Sequence, residues 1–186
     1  MGGKVAATMA LDPEMQPLIS KLVIEDISPH RGAVSDEYHK YVKAMRASDL
    51  SSNKSDIAKK LAEVVTNSEV RHFLITNVRK RLEEEVVKGM PRHEWILNLE
   101  ALDEWMEHIM SFQVTEGRFE GPTLVVTGAF SNFVRHQDKQ ELKDKFFPKA
   151  EFVEIPHSGH WVHTHQPILF ADAVVGFLTG DGGKSA

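Results

Sequence analysis

Three short runs of β-branched and apolar residues constrain the fold of this chain most strongly. They predict strands near residues 21–28, 123–129 and 151–156, in the stretches KLVIEDISP, GPTLVVTG and AEFVEIP. Each run has the length and composition of a buried strand and is bounded by turn-forming residues. Because segments of helical periodicity separate the runs, we expect a parallel sheet with right-handed crossovers. The sequence therefore predicts an α/β fold with about three parallel strands and flanking helices.

A long helical block interrupts this alternation of strand and helix. Residues 35–110 are polar and helical in periodicity, and we predict no strand among them; the stretch SEVRHFLITNVRKRLEEEVV is expected to stay helical. Such a block is typical of a cap inserted between two strands. We expect four segments, namely a hydrolase-like core segment at 1–30, a helical cap or lid at 31–118, a second core segment at 119–179 and a disordered tail at 180–186.

Composition excludes several classes of protein. The chain has 186 residues, of which 41% are hydrophobic and 26% charged, as in an ordinary globular domain. Its net charge of −5 gives no electrostatic reason to expect nucleic-acid binding. No apolar run reaches the roughly 20 residues of a membrane-spanning helix, so we expect no membrane span. The sequence contains no cysteine, which excludes thiolate catalysis and disulfides within it.

The strongest chemical signal is the motif PHSGHWVH, which directly follows the last predicted strand. Ligands of parallel sheets bind beyond the carboxyl ends of the strands, so His160 is well placed to act as a general base. The alternative is a loop histidine that bonds a backbone carbonyl. His157, His163 and His165 accompany it, which suggests zinc as a less favoured alternative. We expect no metal ion, because histidines of one short loop rarely converge tetrahedrally without further support.

Two more polar residues follow strands of the same predicted sheet. Asp26 ends the first strand, where a carboxylate can accept a hydrogen bond from an imidazole and stabilise its protonated form. The alternative is that Asp26 caps the turn before Pro29. Ser131 follows the second strand and could bond the acid or the histidine, or simply form a turn. It is a poor candidate for a nucleophile, since no elbow glycines surround it.

In this order, the motifs resemble those of α/β-hydrolases, most closely the group of bacterial esterases and animal α/β-hydrolase domain-containing proteins. The resemblance rests on MGGK, KLVIEDISP, YVKAMRA, VRHFLITN, LNLEAL, GPTLVVTGAFSNFV and GHWVH. In that family the nucleophile elbow reads G-H-S-M-G-G-K, and residues 1–4 match its second half. The resemblance therefore implies a nucleophilic serine directly before Met1 and a chain truncated just after that serine.

The resemblance also implies a role for each candidate residue. His160 matches the general base, and Asp26 matches the acid of the bacterial esterases, with Ser131 supporting it. Glu100, in LNLEAL, matches an acid proposed for animal relatives and is the alternative acid. The backbone N–H of Met1 matches a donor of the oxyanion hole. No metal ion or organic cofactor is implied.

The function implied is hydrolysis of a small-molecule acyl ester, either a lipid ester or a thioester. Without the serine, the chain by itself is expected to be inactive. The alternative is a catalytically dead fragment that binds a protein partner, or a second copy of itself, through an exposed edge of the sheet. Animal relatives are associated with mitochondria, so the resemblance implies a mitochondrial location, with the cytoplasm as the alternative.

Overall fold

A computed structural model describes residues 2–28, 36–82, 89–110 and 115–180. The chain divides into two compact units. The first comprises Met1–Gly32 and Met110–Ala186, and the second comprises Ala33–Ile109. The identification of a cap at residues 31–118 stays a prediction.

The described residues form five strands and eight α-helices. The strands are β1 (Leu22–Glu25), β2 (Val78–Lys80), β3 (His93–Trp95), β4 (Thr123–Gly128) and β5 (Ala150–Ile155). The helices are α1 (Gly2–Leu11), α2 (Asp36–Arg46), α3 (Lys54–Leu61), α4 (Ser68–Thr76), α5 (Leu99–Met110), α6 (His136–Glu141), α7 (Val162–His165) and α8 (Pro167–Thr179). A 3₁₀ turn covers Gln16–Leu18, and a π-helical turn covers Leu142–Phe146.

A parallel sheet of three strands organises the first unit, in the order β1-β4-β5. Leu22 pairs with Thr123 at one end of the sheet, and Thr123 pairs with Ala150. All residues of the central strand β4 are buried, which agrees with its continuous apolar sequence. The predicted α/β fold and its three parallel strands are therefore confirmed.

Helices cover both faces of this sheet. On one face, α1 and the π-helical turn pack against the sheet through a cluster that includes Ala10, Leu11, Ile24, Val125 and Phe147. On the other face, α8 packs through Phe170, Val174 and Phe177 onto Leu124 and Val126. Successive residues of β4 thus contribute to opposite faces, as the two-residue period of a strand requires.

The second unit contains an antiparallel strand pair that the sequence pattern does not predict. Helix α4 ends at Thr76, and Val78 of β2 pairs with Trp95 of β3 in antiparallel register. The Nη2 atom of Arg81 lies 2.9 Å from Oε2 of Glu94, and Arg79 contacts the same carboxylate. The expectation of no strand in 35–110 is wrong, because these cross-strand contacts outweigh the local helical pattern. Residues 83–88 of that stretch lie outside the described residues.

The last helix ends at a left-handed residue. Gly180 has a φ of 84° and its N–H bonds the carbonyl of Gly176, a common way to end a helix. Residues 181–186 of the predicted tail lie outside the described residues. Over the described ranges, every helix is too short or too polar to reach across a bilayer.

Candidate functional site

Asp26 occupies an unusual backbone position directly after β1. Its φ is 41°, in the left-handed region, where a residue other than glycine costs about 1 to 3 kcal/mol. Its N–H nevertheless donates to the carbonyl of Val126 at 2.8 Å, so the residue stays attached to the sheet as the chain turns. The Asp26 side chain is completely buried. Asp26 is thereby held at the carboxyl end of the sheet.

The buried carboxylate of Asp26 has partners from the ends of both other strands. Its Oδ2 lies 2.9 Å from Nδ1 of His160, which follows β5, and accepts the hydroxyl of Ser131, which follows β4. Its Oδ1 lies 3.4 Å from the N–H of Gly128. A buried charge is tolerated only when it is paired and hydrogen-bonded, as here. The structure therefore brings Asp26, His160 and Ser131 together, as the sequence predicts.

The ring of His160 has one nitrogen against the acid and remains partly open to solvent. With Nδ1 donating to Asp26, the other nitrogen, Nε2, is the one that can accept a proton. Phe133 stacks on the ring, with centroids 3.9 Å apart and planes 20° apart. The His160 side chain is 39% exposed, whereas that of Asp26 is 0% exposed. Chemically, this arrangement suits a proton acceptor whose charged form faces a fixed carboxylate.

Ser131 is hydrogen-bonded to the acid. Its hydroxyl donates to Asp26, its Oγ accepts the N–H of Phe133 at 3.2 Å, and its own N–H donates to Gly128 at 2.9 Å. These bonds hold Ser131 in the turn after β4 and direct its proton to the carboxylate. The geometry suits a residue that supports the acid.

Different partners hold the other histidines of the loop. Nδ1 of His163 lies 2.6 Å from Oε1 of Glu25, and Nδ1 of His165 accepts the N–H of Gly159 at 2.9 Å. The ring of His157 lies against that of Phe130. These side chains do not converge on one point, and no group of three or more potential metal ligands occurs in the parts of the chain that the structure describes.

The start of α1 passes close to the end of β1. A β-carbon on Gly3 would lie 2.6 Å from Cγ2 of Ile27, which follows Asp26 directly. A side chain here would force that of Ile27 to shift, so the close approach favours glycine, as the resemblance to an elbow glycine implies. Met1, the predicted oxyanion donor, lies outside the described residues.

Glu100, the alternative acid, belongs to the second unit. It lies in the first turn of α5, and its side chain is 74% exposed. Its Oε1 is 3.6 Å from Nε of Arg46, an ordinary surface ion pair.

Two residues that contact the site histidines, Phe133 and Glu25, are not among those predicted from the sequence. Phe133 lies two positions after Ser131, so its place in that loop was an available signal. Glu25 precedes Asp26, but its partner His163 is 138 residues away, and no local pattern predicts that pair.

Comparison with known proteins identifies the family and the fold of the chain. A family model described as the alpha/beta hydrolase fold matches residues 1–167. The sn-1-specific diacylglycerol lipase ABHD11 of Danio rerio is 36% identical over 185 residues, and that of Mus musculus is 33% identical over 184. Both matches cover 96% of this chain but only 55% and 56% of the relatives. The chain thus spans about half the length of these curated relatives.

Solved structures share the same fold. A marine microorganism esterase matches with a TM-score of 0.80 at 25% identity, over 94% of this chain and 66% of that one. A hydrolase from Pseudomonas aeruginosa matches with a TM-score of 0.56 at 19% identity, over 95% of this chain and 61% of that one. From its three-stranded parallel sheet and these matches, the chain belongs to the α/β-hydrolase family.

Proposed function

We propose that this chain carries the acid and the base of a serine hydrolase that cleaves acyl esters. The observation that supports this most directly is the 2.9 Å contact between Oδ2 of Asp26 and Nδ1 of His160. It joins a fully buried carboxylate to a partly exposed imidazole at the carboxyl end of a parallel sheet. Family membership and the esterase and lipase relatives favour the same reaction.

In the proposed reaction, His160 first accepts a proton and then donates it. Its Nε2 accepts the proton of a serine hydroxyl as the serine oxygen attacks the ester carbonyl, and the proton then passes to the departing alcohol. Asp26 stabilises the imidazolium formed between these steps. A water molecule then attacks the acyl group on the serine, with His160 again accepting and returning a proton. This step releases the carboxylic acid product and restores the serine hydroxyl. Ser131 and the N–H of Gly128 keep the carboxylate of Asp26 in place.

The proposal includes a serine supplied from a segment that precedes Met1. The opening residues MGGK match the second half of the family's nucleophile elbow, and Gly3 has the close packing expected there. Two serines in the loops after β4 and β5 have hydroxyls that donate to groups other than His160: Ser131 to Asp26, and Ser158 to the carbonyl of Ile155 at 2.8 Å. The chain that begins at Met1 is therefore expected to hydrolyse no ester on its own.

The proposed substrates are lipid esters. The relatives from Danio rerio and Mus musculus are named as diacylglycerol lipases, and the marine relative as an esterase. A thioester is the alternative, because the same attack on a carbonyl would release a thiol instead of an alcohol.

A chimaera that carries the amino-terminal part of the Danio rerio relative in front of Met1 tests the proposal. A fluorophosphonate probe, which reacts with activated serines, should label the chimaera and leave the 186-residue chain unlabelled. His160→Gln should abolish labelling, whereas His157→Gln, in the same loop, should not. Labelling of the chimaera that persists in the His160 variant would refute the role of His160.

A second candidate function is binding of a protein partner through the free edge of β1. Among the described residues, β1 pairs with β4 and has no strand on its other side. The N–H groups of Leu22 and Asp26 bond the neighbouring β4 segment, so by the two-residue period those of Val23 and Glu25 point to the free edge. Exposed edges of this kind pair with other strands. This function predicts a stable complex and no labelling even in the chimaera.

A further inference from the structure

A second carboxylate at the end of β1 binds the loop that carries His160. Oε1 of Glu25 accepts the backbone N–H of His163 at 3.0 Å and lies 2.6 Å from Nδ1 of the same residue. Two consecutive acids at the end of β1 thus bind two histidines that are three positions apart, Asp26 with His160 and Glu25 with His163.

The backbone explains how neighbouring acids reach the same loop. Successive side chains of a regular strand point to opposite faces. Because Asp26 has a φ of 41°, the chain leaves the strand geometry at this residue. The two carboxylates therefore contact the loop after β5 at separate points.

The bond to His163 satisfies a backbone donor that the loop cannot satisfy itself. His163 lies in the first turn of α7, where N–H groups have no partner within the helix. Its ring also lies edge-on to Phe170 of α8, with centroids 6.1 Å apart. Glu25 thus links the end of β1 to the segment between His160 and α8.

We propose that Glu25 is a positioning residue, which keeps Nδ1 of His160 against Asp26 by fixing the start of α7. This inference rests on the function proposed above, in which His160 is the base. The side chains of Glu25 and His163 are 28% and 55% exposed, so their pair adds little to overall stability. Its effect should appear in the geometry of His160.

Nuclear magnetic resonance of the 186-residue chain tests the inference without any turnover. The readout is exchange with water of the His160 Nδ1 proton, whose signal is assigned by its loss in His160→Gln. Glu25→Leu removes both carboxylate oxygens. In this variant we expect the proton to exchange about fivefold faster, an effect of the size that loss of a helix cap produces. Glu25→Gln retains an acceptor oxygen and should stay near the wild-type rate.

Matched variants make the result decisive. Glu151→Leu changes an exposed acid near the start of β5 and should leave the exchange unchanged. Glu25→Ala also removes both carboxylate oxygens, with a smaller side chain, and decides the matter should Glu25→Leu fail to fold. Faster exchange in Glu25→Ala then supports the inference. An unchanged rate in the folded Glu25→Leu, or in Glu25→Ala if that variant decides, overturns it. A chimaera that fails to hydrolyse esters would contradict the proposed function and leave this result intact.

Discussion

Gly128, the last residue of β4, lies directly against the backbone of Gly159 in the loop of His160. A β-carbon on Gly128 would be 2.3 Å from the carbonyl oxygen of Gly159 and 2.7 Å from that of Ser158. Real β-carbons essentially never approach other atoms to within 3.0 Å. The loop therefore uses the space left by the absent side chain, and this brings His160 within reach of Asp26.

We expect Gly128→Ala to lower the free energy of unfolding by about 1 to 3 kcal/mol, because two backbone carbonyls must move. Gly2→Ala is the matched control: nothing lies within 4 Å of a β-carbon there, and alanine favours the helix by up to about 1 kcal/mol. Urea unfolding of both variants measures the difference. An unfolding midpoint for Gly128→Ala equal to that of the unsubstituted chain would contradict the close approach.

Substitutions at the two candidate acids should separate them in the chimaera. Asp26→Asn retains the shape of the side chain but removes its charge, and we expect the rate of p-nitrophenyl ester hydrolysis to fall by about four orders of magnitude. Glu100→Gln should change the rate by less than about twofold, since this exposed residue forms only a surface ion pair. The reverse pattern would identify Glu100 as the acid.

Ser131→Ala should have a smaller effect in the same assay. It removes one of the bonds to Asp26 and leaves the contact with His160, so we expect a loss of about tenfold. The alternative, a serine that only forms a turn, predicts an unchanged rate. A loss as large as that of Asp26→Asn would indicate that Ser131 takes part in the chemistry directly.

A tyrosine of the second unit should lose its proton only at unusually alkaline pH. Burial, together with the hydrogen bond that Tyr41 donates to Glu37, raises the pKa of Tyr41 to about 12. Since an unfolded tyrosine titrates near pH 10, this group contributes stability fully below about pH 10, and the contribution is lost as the pH rises towards 12. Burial also raises the pKa of Tyr38.

Ultraviolet absorbance of tyrosinate measures this titration, because the chain has only these two tyrosines. Tyr41→Phe should remove the titration step near pH 12 and leave that of Tyr38. If the folded chain gains both tyrosinates near pH 10, the bond between Tyr41 and Glu37 does not form in solution.

Val23→Pro tests the free edge of β1. Proline removes an N–H that points away from β4, so the sheet should remain while pairing with another strand is prevented. Val23→Ala, which loses similar packing but retains the N–H, is the control. Sedimentation at increasing concentration should show association of the unsubstituted chain and of Val23→Ala, and a monomeric Val23→Pro. Equal association of all three would locate the contact elsewhere.

Local sequence patterns predicted the three-stranded core and the proximity of Asp26, Ser131 and His160. Apolar runs of strand length predicted β1, β4 and β5, and their parallel arrangement followed from the helices between them. Carboxyl ends of parallel strands meet at one edge of a sheet, which is why Asp26, Ser131 and His160 could be expected to lie together.

The same patterns failed where a distant partner decides the conformation. The residues after Thr76 have charges spaced as in a helix, yet Val78 forms a strand, because Trp95 and Glu94 offer a neighbouring strand and a shared carboxylate. Helical periodicity describes neighbours within one or two turns and carries no information about such a partner.

By itself, the sequence determined that three apolar segments become the strands β1, β4 and β5 and which polar residues follow them, because these depend on composition and on general rules of chain connection. Only the tertiary structure decided that Glu25 binds His163, that Phe133 stacks on His160 and that Gly128 admits the backbone of Gly159. These are contacts between side chains and backbone brought together by folding, and their energies depend on distances of a few tenths of an ångström that no pattern along the chain records.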